Sequence, residues 1–330
     1  MIRSILLAVF FASFSCAALA QTADKPKAQL FDEFKVTTND ELITRTTLFR
    51  NRLVKQDWKA VYIFVFYASK KPGYIRTLVT ETLYKNCYDC FGYSPLITFV
   101  DIDDSDDRVQ FWIVPPYADP PTPRRKKDHP ANRYPAVWFA PIDDPKKPGW
   151  EILPQEAKAG EVILSKRNEL GILSNFAATP FELDGKRYGS VEGFWQMMLY
   201  PEMRADDLRY RESAVQWKYS REQVAQMTAF EAKSAGTLAE ENMKKLGIDW
   251  CTYQGKRFPY RSATPGEHYR LIVAAMRAKL EQNPEVRRIL LATGDLSLKP
   301  DHHGEENPPP EWKYYEIWMQ LRSELQKPAR

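Results

Sequence analysis

Leu173-Ser174-Asn175-Phe176, then Phe181-Glu182-Leu183-Asp184-Gly185-Lys186, then Ser190-Val191-Glu192-Gly193-Phe194-Trp195-Gln196, is the stretch on which the reading of this chain turns. Asp184-Gly185 lies between two short apolar runs, the pattern of a β-hairpin turn. Ser190 stands where a helix N-cap belongs. Behind it Val191, Phe194, Trp195 and Met198 recur at i, i+3, i+4 and i+7, one face of a helix. Glu192 then falls in the first turn, where the helix dipole favours an ionised carboxylate. Gln196 lies one turn later on the same face. A carboxylate beside an amide and aromatic rings suits a sugar or a nucleoside-like ligand. The residues alone leave a second reading open, in which Glu192 decorates a helix start and Trp195 is core.

Downstream the helical pattern continues. Thr228-x-x-Glu231 has the spacing of a capping box. Ala232, Ala235, Ala239 and Leu246 form a stripe that Gly247 can close. Tyr269, Ile272, Val273, Met276 and Leu280 make another stripe, and Asn283-Pro284 opens a helix running to Leu291, with proline in its favoured first position. Tyr314, Trp318, Leu321 and Leu325 outline a terminal helix. With a short β-element near 162–181, residues 155–330 read as an α+β domain dominated by helix.

Upstream, residues 21–114 read as a small mixed α/β domain. Asn39 or Asp40 caps a helix carrying Leu42, Phe49 and Leu53. Residues 59–67 form a strand whose faces, Val61/Ile63/Val65 and Tyr62/Phe64/Phe66, are both apolar, so it belongs in the middle of a sheet. A second helix is expected over 74–84. Strands are expected over 96–102 and 109–114, joined as a hairpin by the acidic run Asp103 to Asp107. Ten of the chain's 24 prolines fall between 115 and 148, so 115–154 reads as a stiff, extended linker. Arg124-Arg125-Lys126-Lys127 inside it reads as a solvated charge cluster.

The chain has 330 residues, 44% hydrophobic and 27% charged, with a formal net charge of +4. That is an ordinary globular composition with room for two domains, and the mild basic excess does not by itself imply nucleic acid. Residues 1–20 have the form of a signal peptide: Arg3, an apolar core over 5–14, and Ala18-Leu19-Ala20 before Gln21. The apolar run is too short for a good membrane span. The expectation is an exported protein, periplasmic or secreted, with no stable membrane insertion. Loss of Cys16 with the signal leaves Cys87, Cys90 and Cys251. Cys87 and Cys90 are a disulfide candidate in that compartment, or two reduced thiols. No further ligands stand at zinc spacing, so no metal is expected.

The series Ser-Asn-Phe (174–176), Leu-Asp-Gly-Lys (183–186) and Ser-Val-Glu-x-Phe-x-Gln (190–196) resembles the opening signature of the NADAR (YbiA-like) family. Ala235-Gly236 and Trp250 are similar to its middle. Met276, Lys279 and Gln282-Asn283 are similar to its long helix. Residues 290–295 (Leu-Leu-Ala-Thr-Gly-Asp) and Met319-Gln320-Leu321-Arg322 are similar to its end. The resemblance covers about half the chain, in order, and implies a helix-rich YbiA-like fold there.

It also implies hydrolysis of an N-glycosidic bond. Family members are associated with cleaving ribose-phosphate from riboflavin-pathway intermediates and with removing ADP-ribose from guanine. The implied catalytic residues are Glu192 and Trp250. The implied substrate contacts are Asn175, Phe176, Trp195, Gln196 and Asp295, and no cofactor is called for. The ligand would be ADP-ribose-like or nucleotide-like, free or carried on an ADP-ribosylated macromolecule. A lysine that forms a Schiff base with opened ribose has been inferred for the family, and Leu199 stands at the expected lysine position. The family's late Asp-x-x-Trp-Gly is replaced by Asp301-His302-His303-Gly304, which reads as a polar exposed loop or, alternatively, as an acid/base or metal contact, and residues 251–265 read as an inserted loop. The alternative is therefore a catalytically degenerate binding or interaction protein on the same scaffold, or an effector whose N-terminal domain sets its target.

Overall fold

The structure is a computed structural model. It describes residues 26–54, 61–68, 96–101, 108–122, 138–145, 147–204, 206–211 and 215–327, with 75, 78, 79 and 82 between them. Residues 1–20, the Cys87/Cys90 pair, Asp103 to Asp107, Arg124 to Lys127 and most of the helix expected over 74–84 lie outside the described residues.

The first part comprises β1 (Gln29–Lys35), α1 (Asn39–Val54), β2 (Val61–Ala68), β3 (Leu96–Asp101) and β4 (Arg108–Val114). The four strands form one sheet in the order β1-β4-β2-β3. β2 takes an inner position, as its two apolar faces require. It pairs antiparallel with β4 and parallel with β3. The hairpin expected between β3 and β4 is thus not formed: β2 lies between them. β1 escaped the sequence reading because it is an edge strand with a register shift between Leu30 and Asp32, and only Phe34 along it is buried. α1 lies on the sheet through Leu42 and Phe49, and the Phe49 ring stacks on Phe111 with centroids 4.7 Å apart.

Part of the segment expected to be a linker is packed. Trp138 is fully buried, and its indole N–H donates to Glu169 Oε2 at 3.2 Å. Ile142 and Gln155 exchange two hydrogen bonds. Glu151 is buried against the Arg167 guanidinium. Prolines stiffen this stretch, but the apolar and ionic side chains between them fix it to the helical part.

That helical part is built from β5 (Glu161–Ile163), β6 (Phe181–Leu183), β7 (Lys186–Tyr188), α2 (Val191–Met197), α3 (Leu208–Arg211), α4 (Arg221–Ala225), α5 (Ala229–Lys245), β8 (Trp250–Tyr253), β9 (Lys256–Pro259), α6 (Glu267–Gln282), α7 (Pro284–Ala292), β10 (Ser297–Lys299) and α8 (Tyr314–Gln326). The fold class is α+β. β5 pairs parallel with β10, while β6–β7 and β8–β9 are antiparallel pairs. Asp184 and Gly185 have φ of 51° and 72°, the double positive φ of a two-residue hairpin turn. Gln254 and Gly255 repeat it at 49° and 76°, so the residues after Trp250 form a hairpin rather than a loop.

Every residue of α2 is buried, and it packs against α4, α5 and α6. Glycine allows the close approach. A Cβ on Gly193 would lie 2.4 Å from the Met227 carbonyl oxygen, and one on Gly236 would lie 1.8 Å from Gln196 Oε1. The capping box expected at Thr228 is not made. The chain enters α5 through Ala229 at φ 48°, and the Ala229 N–H is given to the Phe176 carbonyl. Gly247 closes α5 at φ 65°, with Ile248 N–H donating to Met243 O. No helix among the described residues is long and apolar enough to cross a membrane.

Candidate functional site

Four successive carbonyls are captured along Leu173 to Phe176. Leu173 O accepts from the Trp318 indole at 2.6 Å and Ser174 O from Lys279 Nζ at 2.8 Å. Asn175 O accepts from Glu192 N–H at 2.9 Å and Phe176 O from Ala229 N–H at 3.0 Å. Helices α8, α6, α2 and α5 each supply one donor, so this turn is fixed from four sides. Lys279 is fully buried, and burial pushes its amine well below the usual lysine range. The Asn175 side-chain oxygen is buried without a hydrogen-bond partner.

Beside this turn Ser190 caps α2, its hydroxyl accepting from Gly193 N–H at 2.9 Å. That cap sets Glu192 in the first turn. The Glu192 carboxylate is buried and accepts from Gln196 Nε2 at 2.7 Å. Burial raises its pKa above the usual carboxylate range, against the opposing pull of Lys233, Gln196, Lys166 and His302. Its affinity for a proton is thereby strengthened.

Asn175, Phe176, Glu192, Trp195 and Gln196 all line one cavity of about 830 Å³. Trp150 and Trp312 add aromatic surface, and Lys233, Lys313 and residues 302–306 also line it. Behind Trp195 the buried His268 ring meets it edge to face at 4.9 Å. Lys166 also lines the cavity, with its Nζ 2.5 and 2.7 Å from the two carboxylate oxygens of Asp301. Asp301 is fully buried. Desolvation alone would raise it, but Lys166 and His302 hold it down at about 2, so it is ionised. Asp301 Oδ1 also lies 3.1 Å from His302 Nδ1.

Three sequence expectations do not meet this geometry. Trp250 does not line the cavity. It lies in β8 with the guanidinium groups of Arg257 and Arg209 over its ring, 3.7 and 4.7 Å from the centroid. Its aromatic surface is occupied by cations and serves the hairpin. Asp295 is exposed after α7, also outside the cavity lining. Leu199, at the expected lysine position, is fully buried core, and its carbonyl accepts from Arg209. A lysine there would enter the core, so its absence says little about the cavity. Cys251 is buried, and burial pushes its thiol up to about 12.

Trp150 and Trp312 are among the cavity residues that sequence reasoning did not single out as site residues. Trp150 was hidden by the proline-rich composition around it. Trp312 stands alone among prolines, with no periodicity to mark it. His302 belonged to the one adjacent histidine pair in the chain, a visible signal whose partner Asp301 becomes meaningful only through the contact with Lys166.

No protein-family model matches the chain, and no curated protein matches it. Among solved structures it is similar to the NMR structure of the E. coli protein YbiA, with 23% identity over 48% of this chain and 79% of that chain and a TM-score of 0.31.

Proposed function

We propose that this cavity binds a nucleotide-like N-glycoside of the ADP-ribosyl type and that Glu192 supports hydrolysis of its C–N bond. The observation that carries the reading is a buried, proton-seeking carboxylate, oriented by Gln196 and sharing a cavity with aromatic walls with Asn175, whose buried side-chain oxygen has no hydrogen-bond partner. Breaking an N-glycoside builds positive charge on the sugar, and a carboxylate both stabilises that charge and takes a proton from water. Trp150 offers a face for a base, Trp312 adds aromatic wall with the Arg261 guanidinium 4.5 Å from its ring centroid, and Lys233 and Lys313 offer charge for phosphates. Lys166 is bound to an ionised Asp301 rather than standing as a free amine, which favours a route without a Schiff base. We further propose export after removal of residues 1–20. N-terminal sequencing of the native product tests it, with Gln21 expected and Met1 in a cytosolic product contradicting it.

The test of the site is a thermal-shift titration with ADP-ribose, followed by turnover. At a hundredfold excess over Kd a ligand stabilises by about 2.7 kcal/mol, which raises the melting temperature by roughly 5–10 °C for a domain of this size. Glu192→Gln should keep the shift and lose turnover. A shift without turnover in the wild type would favour the binding-protein alternative. No shift with ADP-ribose, NAD or ADP-ribosylated guanine would remove the ligand class.

A further inference from the structure

We propose that His302 is the general acid of this cavity, protonating the leaving nitrogen of the glycoside while Glu192 receives the proton of the attacking water. The inference rests on the hydrolytic reading above and assigns the half of the proton transfer that Glu192 leaves open.

The geometry is that of an oriented imidazole. His302 lines the same cavity as Glu192, and its side chain is 44% exposed, so a ligand can reach it. Its Nδ1 lies 3.1 Å from Asp301 Oδ1. A carboxylate only accepts, so Nδ1 carries the N–H, and Nε2 is the nitrogen left for a ligand. Asp301 cannot swing away: it is fully buried and clamped by Lys166 through both oxygens. The backbone is equally fixed. Residue 302 forms an antiparallel bridge with Glu151, flanked by Ile152 N–H to Asp301 O at 2.8 Å and His303 N–H to Trp150 O at 3.0 Å. The His302 ring runs parallel to Tyr314. Charged or titratable groups around it include Asp301, Lys166, Tyr314 and His303, with Lys233, Lys313, Tyr315, Glu305 and Glu306 on the same cavity wall, Glu192 from α2 within electrostatic reach, and Glu151 paired with Arg167, which also holds Asp144.

A purine or amide-like nitrogen is a poor leaving group until it gains a proton. In the step, His302 acts as the imidazolium: Nδ1–H stays hydrogen-bonded to Asp301 while Nε2–H passes its proton to that nitrogen, as the C1′–N bond breaks and the bonding pair moves onto nitrogen, leaving neutral His302. Water oxygen bonds to C1′ and gives a proton to Glu192. The proton gained by Glu192 and the one lost by His302 equilibrate through solvent, so glycoside plus water yields free base and a ribose hydroxyl. Two proton-active groups facing one cavity from α2 and from the 301–303 segment give the acid and base that the reaction needs.

The test compares wild type, His302→Gln and Glu192→Gln on two substrates. One is ADP-ribosylated guanine, and the other is a ribosyl glycoside with a 4-nitrophenolate leaving group that departs without protonation. His302→Gln should lose 10²–10⁴-fold on the guanine substrate, as expected for general acid catalysis, and keep near wild-type rates on the nitrophenyl substrate. It should also lose the alkaline limb of the guanine pH–rate profile. Glu192→Gln should lose both activities. Equal loss on both substrates, or no loss on either, with an active wild type overturns the role of His302 and leaves the hydrolase reading standing. An inactive wild type on both substrates overturns the two together.

Discussion

Gly236→Ala puts the packing behind Glu192 to a direct test. The added Cβ would lie 1.8 Å from Gln196 Oε1, 2.3 Å from Cδ and 3.0 Å from Cγ. Contact along three atoms cannot be relieved by turning the amide alone, so the Gln196 side chain must leave its place. It then releases Glu192, whose carboxylate accepts the 2.7 Å hydrogen bond from Gln196 Nε2. Losing a buried bond to a charged group costs about 1.5–3 kcal/mol, and overpacking adds about 1–3 kcal/mol. Alanine in place of glycine inside α5 returns about 1 kcal/mol. The net is a destabilisation of roughly 1.5–5 kcal/mol, a fall of about 3–20 °C in melting temperature. Calorimetry on the purified full chain reads it. Ser234→Ala, exposed on the same helix, should be neutral or slightly stabilising. Gly236→Ala combined with Gln196→Ala should be less unstable than the sum of the two. A rise in melting temperature for Gly236→Ala would refute the proposed packing of Gln196 on α5.

The Lys166–Asp301 pair should dominate acid unfolding of the cavity wall. Asp301 is depressed from its ordinary value of 3.8 to about 2, so its stabilisation is present above pH 4 and is lost as pH falls toward 2, as pH-dependent melts would show. Lys166→Met takes the ammonium away from a fully buried carboxylate that keeps its His302 contact, and should cost about 3–5 kcal/mol at neutral pH; an unchanged melt would contradict the pairing. Glu192 is shifted the other way. Its raised pKa means the folded state loses stability as pH rises from the ordinary carboxylate range through the folded value. Glu192→Gln should therefore be more stable than wild type at alkaline pH and no more stable in acid. Cys251, with its thiol held up near 12, should resist alkylation at pH 8 in the folded protein and react only in denaturant; rapid labelling under native conditions would contradict its burial.

Much of this was legible in the sequence because local chemistry decided it. The Asp184-Gly185 turn, the Ser190 cap, Gly247 and Pro284 each impose one backbone conformation, and each stands where expected. The inner place of β2 followed from two apolar faces. Strand order did not follow, because the pairing of β3 with β2 is set across the sheet and leaves no mark within either strand. Among the site residues, Glu192, Asn175, Phe176, Trp195 and Gln196 share the cavity, since they sit on one turn and one helix that pack together. Trp250 and Asp295 lie far along the chain from that turn, and their placement depends on tertiary contacts that a motif does not encode. Arg209 and Arg257 claim the Trp250 ring. Trp150 and Lys166 join the cavity only because the 150–152 segment pairs with 301–303.

The most direct measurement is release of free guanine from ADP-ribosylated guanine by wild type, Glu192→Gln and Trp250→Phe under single-turnover conditions. Turnover by wild type, a loss of 10²–10⁴-fold in Glu192→Gln, and near wild-type rates in Trp250→Phe would place the chemistry in the Glu192 cavity. A Glu192→Gln protein as fast as wild type, or a Trp250→Phe protein that folds normally but loses turnover, would contradict it.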